Sequence, residues 1–307
     1  MAMFEHDFVF TEPCVIAEIG CNHMGDFEIA KELLTLAKLS GATVGKFQKR
    51  TPKELLTEDQ YNAAHPNPHN SYGSTYGAHR EFLEMSVAQH AELKKHCESI
   101  DLVYSCSVWD TTAAKEMVSI NPELIKVGSP SNQHWEMQRV LRDEYSGDVH
   151  ISTGMTTKDE IEKIVAFWEA GAGDAKNRVV LYNCTSGYPV PFDDVCLLEL
   201  RLLRQRFGHR VKHIGFSGHH LGISVDIAAY TLGAKWSERH FTKDRTWKGT
   251  DHAASLEPSG LAKLIRDLEA THRCMTYKAT DILPLEANQR AKLKWGCYNA
   301  ETVKNLE

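Results

Sequence analysis

Short apolar runs rich in β-branched residues alternate along the chain with longer segments in which apolar residues recur at helical spacing. In the segment after the first run, Ile29, Leu33, Leu36 and Ala37 fall on one face of a predicted helix. The runs lie at residues 14–20, 42–48, 102–108, 123–129, 149–154, 178–184, 211–217 and 234–241. This alternation is typical of repeated βα units, and eight such units close a (β/α)8 TIM barrel. The main alternative, an open doubly wound sheet, normally has fewer strands and a glycine-rich GxGxxG loop, which the sequence lacks.

Two segments interrupt this alternation. Residues 49–80 are too long for a plain connection, and we expect them to fold over the barrel mouth as a lid, with a disordered insertion as the alternative. The chain after about residue 280 is polar and holds no ninth βα unit. We therefore predict a catalytic barrel over residues 1–285 and a short C-terminal tail over residues 286–307.

Composition and charge narrow the class of protein. The net charge of -6 is spread along the chain, which indicates no nucleic-acid partner. No apolar run approaches the roughly 18 residues of a membrane span, and no basic, apolar leader begins the chain, so we expect a soluble cytoplasmic protein. The eight cysteines lie scattered without CxxC pairs, which favours reduced thiols over a disulfide framework or a zinc site.

Polar residues stand at the end of nearly every predicted strand. Active sites of TIM barrels are built at the C-terminal ends of the strands, so these residues are candidates for function. A lone lysine in an apolar run is more often a snorkelling or edge residue, but a ring of polar residues at one face predicts a binding site. The ring consists of Glu18, Lys46, Gln48, Ser107, Lys126, Ser129, Ser152, Thr153, Thr185, Ser186, Ser217, His219, Glu238 and His240.

The residue types indicate the ligand. Two lysines and several hydroxyls suit a phosphate together with a carboxylate, so we expect a small phosphorylated acid. His219 and His240 end neighbouring strands, which allows both imidazoles to bind one divalent ion while positions stay open for water and substrate. Most of the other histidines, including His220, are better interpreted as merely hydrogen-bonded.

Seven separated motifs follow one another along the chain: AEIGCNHMG (17–25), KFQ (46–48), KVGS (126–129), ISTGM (151–155), CTSGYPVP (184–191), IGFSGHHLG (214–222) and ERHFTKDRTWKGTDHAASLEP (238–258). In this order they resemble the motifs of the sialic acid synthase family, also called N-acetylneuraminate synthases. The resemblance covers roughly residues 14–295.

The resemblance implies an enzyme that condenses phosphoenolpyruvate with an amino-sugar aldehyde, releasing phosphate and forming a nine-carbon 2-keto-3-deoxy acid. By position, Glu18 resembles the catalytic carboxylate, and Lys46 and Lys126 resemble the lysines on the phosphoenolpyruvate carboxylate and phosphate. His219 and His240 resemble the manganese pair, although Mg2+ or Co2+ would also suit them. The hydroxyl donors match at Ser107, Ser129, Ser152 and Ser217, and less closely at Ser186; the residues around the sugar match at Gln48, Tyr188 and Asp251.

The sequence also departs from the family pattern. Relatives usually continue into a domain resembling type III antifreeze protein, which covers the partner's barrel in a dimer. We expect a separate capping chain, or the 49–80 segment together with the tail, to supply that cover, or a substrate that does not need it; a homodimer is a further expectation. Gly218 replaces the aspartate of the family's SDHT motif, and His220, at its threonine position, is expected to start the next helix or face the mouth. Pro130 and Ser131 replace a glycine and an acidic residue that contacts the sugar. These changes predict the same reaction with an acceptor other than N-acetylmannosamine.

Two other classes of protein remain open. A metal-dependent aldolase or lyase that uses pyruvate would also need a divalent ion and a carboxylate, but it would not need so many phosphate-type donors. A non-catalytic sugar-binding relative is the second alternative. The presence of Glu18, both lysines and both metal-site histidines argues against it.

Overall fold

The computed structural model describes residues 10–296, and its centre is a closed barrel of eight parallel strands. Each strand pairs with its sequence neighbour, and β1 pairs with β8 to close the barrel. The predicted TIM barrel is therefore confirmed. The strands are β1 (Cys14–Gly20), β2 (Val44–Lys49), β3 (Val103–Val108), β4 (Leu124–Val127), β5 (Asp148–Ser152), β6 (Val179–Cys184), β7 (His213–Gly218) and β8 (Trp236–His240).

Helices follow the strands along the chain. They are α1 (Phe27–Leu39), α2 (Pro52–Leu55), α3 (Glu58–Asn62), α4 (Tyr76–Phe82), α5 (Val87–Ser99), α6 (Thr111–Ile120), α7 (Trp135–Asp143), α8 (Lys158–Glu169), α9 (Ala175–Arg178), α10 (Glu199–Phe207), α11 (Ser224–Thr231), α12 (Pro258–Cys274) and α13 (Pro284–Leu293). Helix α1 begins after Asp26, whose carboxylate accepts hydrogen bonds from the backbone N–H groups of Glu28 and Ile29. Its buried face differs slightly from the predicted one, because Ala30 and Leu34 are buried there while Ile29 and Leu36 are only half-buried; Leu33 and Ala37 are buried as predicted.

The barrel interior changes from apolar to charged along the strands. Alternate residues point inward, and a lower layer packs Ile16, Val44, Leu124, Val180 and Tyr182 together. Gly215 on β7 leaves room for the Tyr182 ring, because a Cβ atom at Gly215 would lie only 2.6 Å from it. Above this layer, Lys126 holds its ammonium group 4.9 Å from the centre of the Tyr182 ring. The apolar layer therefore forms the floor of a charged mouth.

The segment 49–80 carries secondary structure of its own. It contains α2, α3 and the start of α4, and the backbone N–H of Tyr76 donates to the carbonyl of Ala63. The hydroxyl of Tyr72 donates to the carbonyl of Lys248, in the loop after β8. The rings of His65 and His79 lie 4.4 Å apart between centroids. These contacts fold the segment, while its action as a lid stays a prediction.

The chain divides into two compact units, residues 1–272 and residues 273–307. The first holds the barrel, and the described part of the second holds α13. The predicted boundary at residue 285 stays a prediction. Among residues 10–296, no helix combines the length and apolar character that crossing a membrane requires.

We predict that Gly215→Ala destabilises the barrel, because the added Cβ atom overlaps the Tyr182 ring. Overpacking of a filled core costs about 1–3 kcal/mol, which urea unfolding followed by circular dichroism would measure. Gly260→Ala in α12 is the control, since a Cβ atom there meets nothing closer than 3.5 Å. It should be neutral or stabilise by about 0.5 kcal/mol. Equal midpoints for the two variants would contradict the packing described.

Candidate active site

Four charged side chains meet at the C-terminal ends of the strands, and we call them the charge quartet: Glu18, Lys46, Lys126 and Glu238. All four are buried, with at most 5% of any residue exposed. The ammonium group of Lys46 binds the carboxylate of Glu18 and lies 3.7 Å from Oε2 of Glu238. The ammonium group of Lys126 binds the other oxygen of Glu238. The quartet is therefore electrically balanced by its own members.

Neutral polar side chains orient the quartet. Lys46 donates from Nζ to the Ser107 hydroxyl at 2.5 Å, and Gln48 donates from Nε2 to Oε1 of Glu18 at 2.9 Å. The Ser217 hydroxyl donates to the β8 carboxylate of the quartet at 3.2 Å. Three of the predicted ligand-binding side chains thus contact the charged groups directly.

The proximity of opposite charges sets the protonation of the quartet. Burial alone would lower the pKa of Lys46, but the carboxylates of Glu18 and Glu238 outweigh it and raise the pKa above its ordinary value. Burial alone would raise the pKa of Glu238, yet Lys126 and Lys46 hold it well below its usual range. Lys46 is therefore a cation and Glu238 an anion at neutral pH.

A cluster of hydroxyls surrounds Gly154, just past the end of β5. The backbone N–H of Gly154 donates to the Ser129 hydroxyl at 3.0 Å, and a Cβ atom at this glycine would collide with the hydroxyls of Ser129 and Ser186. The hydroxyl of Ser152 is buried without a hydrogen-bond partner among the described residues. Burial raises the pKa of the neighbouring Cys184 thiol, although the charge of Lys126 and the hydrogen bond to Ser129 act in the opposite direction, so the thiol stays neutral. Hydroxyl donors around a bare backbone form a surface suited to a phosphate.

The two predicted metal ligands lie side by side at the mouth. The ring centroids of His219 and His240 are 5.4 Å apart, and the ring of Tyr188 lies 4.3 Å from that of His219. Nδ1 of His219 lies 3.1 Å from the carbonyl oxygen of Thr185 and must donate to it, which leaves the lone pair on Nε2. Burial, followed by the charge of His240, lowers the pKa of His219 to about 3, so its imidazole is neutral.

The histidine pair fits a divalent ion that takes its other ligands from water and substrate. Neutral imidazoles are the ligating form, and Nδ1 of His240 is buried without a hydrogen-bond partner among the described residues. Within residues 10–296, no group of three or more His, Cys, Asp and Glu side chains is arranged to hold a metal. His219 and His240 are therefore the two candidate ligands that the described residues offer here. Binding of a metal by this pair stays a prediction.

Asp251 lies in the loop after β8, at the start of a short 3-10 turn. Its carboxylate accepts a hydrogen bond from the Thr250 hydroxyl at 3.0 Å, and its carbonyl accepts one from Ser255 at 2.7 Å. Ser255 in turn accepts from the amide of Asn22, in the loop after β1. This chain of hydrogen bonds ties Asp251 to the β1 side of the mouth, while its contact with a sugar stays a prediction.

The departures at residues 130 and 131 have a structural consequence. The Ser131 side chain is buried, and its hydroxyl donates to the carbonyl of Trp109 at 2.8 Å. Pro130 is exposed beside it. This part of the mouth therefore presents no carboxylate from either position.

Two features of the site were missed or misjudged in the sequence. Glu238 stands at a predicted strand end where its residue type alone indicates no specific role, although it pairs with both lysines of the quartet. Its signal was its position two residues before His240, on the same inward face of β8. The expectation that His220 starts the next helix or faces the mouth is wrong: α11 begins at Ser224, and His220 is fully buried against Asp226. It is a hydrogen-bonded core residue, as we expected of most histidines.

Comparisons with known proteins agree with this barrel. The family model described as NeuB family matches residues 33–280. The chain is 34% identical to N-acetylneuraminate-9-phosphate synthase of Homo sapiens, covering 92% of this chain and 76% of that protein. It is 31% identical to N,N'-diacetyllegionaminic acid synthase of Legionella pneumophila, covering 91% and 79%. The crystal structure of N-acetylneuraminic acid synthetase from Leptospira borgpetersenii superimposes with a TM-score of 0.77 over 93% of each chain, and at 24% identity this likeness shows the fold alone.

We predict that Glu238→Gln strongly destabilises the protein, because it leaves the buried ammonium group of Lys126 without its carboxylate. Breaking a buried ion pair costs about 3–5 kcal/mol, which urea unfolding at neutral pH would measure. Glu162→Gln is the control, since Glu162 pairs with Arg206 and Arg210 in a far more exposed place. That change should cost less than about 1 kcal/mol. Similar losses in the two variants would show that the quartet does not depend on Glu238.

Proposed function

The chain belongs to the NeuB family, and from this premise we propose that it condenses phosphoenolpyruvate with the open-chain aldehyde of an amino sugar, giving a 2-keto-3-deoxy sugar acid and phosphate. It is an enzyme of the sialic acid synthase type, a transferase that forms a carbon–carbon bond. The observation that carries the proposal is the charge quartet beside the hydroxyl cluster at Gly154. Together these groups suit a ligand that carries both a carboxylate and a phosphate.

Phosphoenolpyruvate would bind by becoming a new charge partner of the two lysines of the quartet. In this proposal its phosphate occupies the hydroxyl cluster of Ser129, Ser152 and Ser186, within reach of the Lys126 side of the quartet. The unpartnered hydroxyl of Ser152 supports this, since a buried donor without an acceptor is costly. The carboxylate of the substrate then lies on the Lys46 side, where Ser107 already holds the ammonium group.

Glu18 would act on the carbon that carries the phosphate. C3 of phosphoenolpyruvate attacks the aldehyde carbon, the aldehyde oxygen takes a proton from solvent, and positive charge develops at C2. Glu18, oriented by Lys46 and Gln48, stabilises that charge and takes a proton from the water that adds there. As the resulting tetrahedral carbon collapses, its hydroxyl gives its proton to the departing phosphate and the bond from C2 to the phosphate oxygen breaks, leaving the ketone and free phosphate.

His219 and His240 would hold the divalent ion, for which we propose Mn2+ ahead of Mg2+ or Co2+. The chemistry that such an ion supplies when bound is Lewis-acid polarisation of the acceptor aldehyde. Thr185 fixes the ring of His219 through Nδ1, so that Nε2 is the free ligating atom. The exposed ring of Tyr188 lies against the two imidazoles and would form the wall on the sugar side.

For the acceptor we propose a phosphorylated N-acyl amino hexose rather than N-acetylmannosamine itself. The relatives from Homo sapiens and Mus musculus are named for a product phosphorylated at position 9. Three carbons of such a nine-carbon acid come from phosphoenolpyruvate, so position 9 corresponds to C6 of a six-carbon acceptor. The lack of a carboxylate at residues 130 and 131 is consistent with an acceptor that carries additional negative charge.

We predict phosphate release from phosphoenolpyruvate that depends both on Mn2+ and on one class of acceptor. The assay would compare N-acetylmannosamine, its 6-phosphate and a panel of other aldoses, with a chelator control. Fastest release with the 6-phosphate would support the proposed acceptor. A clear preference for unphosphorylated N-acetylmannosamine would refute it, and condensation supported by pyruvate would favour a metal-dependent aldolase instead.

We predict that Glu18→Gln lowers kcat by about 10²–10⁴-fold, because the amide can neither accept the proton from water nor carry a compensating charge. Binding of phosphoenolpyruvate, measured by calorimetry, should persist in this variant since both lysines remain. Glu28→Gln on the exposed side of α1 is the control and should keep the wild-type rate. A wild-type rate in Glu18→Gln would exclude the proposed role.

A further inference from the structure

A second buried charged cluster lies behind the histidine pair, and we call it the rear cluster: His220, Asp226 and Arg239. All three residues are at most 1% exposed. Arg239 Nη1 lies 2.5 Å from Oδ2 of Asp226, and Nε2 of His220 lies 3.2 Å from the same oxygen. One carboxylate oxygen therefore joins a residue adjacent to His219 to a residue adjacent to His240.

The rear cluster fastens three separate elements together. Arg239 belongs to β8, Asp226 to α11 and His220 to the loop that follows β7. Besides its ion pair, Arg239 donates from Nη2 to the carbonyl of His220 at 2.6 Å and from Nη1 to the carbonyl of Gly222 at 2.8 Å. The backbone on the C-terminal side of His219 is thus fixed directly to the strand that carries His240.

The number of hydrogens on Arg239 determines whether Nε2 of His220 donates or accepts a hydrogen bond in the rear cluster. Nη1 of Arg239 has two hydrogens, and the oxygens of Asp226 and Gly222 accept both. Nε2 of His220 also lies 3.1 Å from Nη1 of Arg239, but both hydrogens of Nη1 already go to oxygens, so we assign a hydrogen to Nε2, which donates to Oδ2 of Asp226. The carboxylate of Asp226 therefore receives hydrogen bonds from two sides.

Gly218 provides the space that this arrangement needs. A Cβ atom at Gly218 would lie 2.8 Å from Cε1 and 2.9 Å from Nδ1 of His220. The imidazole of His220 thus packs over the position that a side chain at residue 218 would occupy. The departures from the family pattern at Gly218 and His220, on either side of His219, are therefore structurally coupled.

Stability alone does not account for such a cluster. Burying an arginine and an aspartate costs several kcal/mol per ion, and an apolar substitute of similar volume is often equally stable or more stable. Hydrogen-bonded groups behind metal ligands, in contrast, commonly set the orientation of those ligands. The direct attachment of the rear cluster to both histidine-bearing segments favours this second role.

We propose that His220, Asp226 and Arg239 are positioning residues that set the separation of His219 and His240 for one divalent ion. The inference rests on the metal pair of the proposed function and assigns to it a support that neither the fold nor the family match specifies. Loss of the support lets the loop after β7 move relative to β8. Metal affinity then falls, while the phosphoenolpyruvate side of the mouth is unaffected.

The test measures Mn2+ binding by isothermal titration calorimetry on the purified full chain. Asp226→Asn, and independently His220→Leu, should weaken Mn2+ binding about 10–100-fold. His220→Gln should retain most of the affinity, because its amide nitrogen supplies the lost N–H donor. The affinity for phosphoenolpyruvate without metal should be unchanged in all three, which separates this inference from failure of the proposed function.

Tyr230→Phe in α11 is the matched control. It removes a buried hydroxyl that contacts the carbonyl of Thr11 and Nδ1 of His272, on the same helix as Asp226 but away from the rear cluster. It should lower thermal stability without changing Mn2+ affinity. Wild-type Mn2+ affinity in both Asp226→Asn and His220→Leu, or an equal loss in Tyr230→Phe, would overturn the proposal. Absence of Mn2+ binding by the wild type would overturn it as well, while leaving the measured binding of phosphoenolpyruvate to stand.

Discussion

Two buried ammonium groups share the mouth of the barrel with two buried carboxylates, and the remaining candidate site residues are arranged around this balance. An ammonium group buried in such a place without a partner would be costly, because desolvation disfavours an isolated charge. The closed barrel supplies the partners from β1, β2, β4 and β8. The strand register sets Glu18 on β1 beside Lys46 on β2 and beside His240 on β8.

The buried residues beneath the charge quartet strengthen its electrostatic interactions. Tyr182 lies under Lys126, its hydroxyl meets Nδ1 of His150 at 2.7 Å, and both residues are fully buried. A dry floor of this kind strengthens electrostatic interactions above it, including those with an incoming anion. The same low polarity makes a mismatched ligand costly, since any charge it leaves unpaired stays unsolvated. Affinity and selectivity for a doubly anionic substrate thus have a common origin in the fold.

Much of this arrangement could be predicted from the sequence, because it follows from local pattern and barrel geometry. The alternation of runs located all eight strands, and the strand ends located Lys46, Ser107 and His219 at one face. Contacts between distant segments could not be predicted in that way. In the sequence Glu238 is one more polar strand end, and nothing there shows that its carboxylate contacts two lysines. The position of His220 beside a predicted metal ligand likewise does not show that its side chain is buried. Its partner Asp226 lies on a helix whose rotation about its axis depends on packing rather than on spacing.

Isotopic labelling tests the proposed chemistry of the mouth most directly. Glu18 is assigned to the water that adds at C2, so the bond that breaks must join C2 to the bridging oxygen of phosphoenolpyruvate. With oxygen-18 in that bridging position, turnover with an accepted sugar should deliver the label to inorganic phosphate, as read by phosphorus NMR or mass spectrometry. Label retained in the keto acid would mean that water attacks phosphorus instead, and it would contradict the role given to Glu18 and the charge quartet.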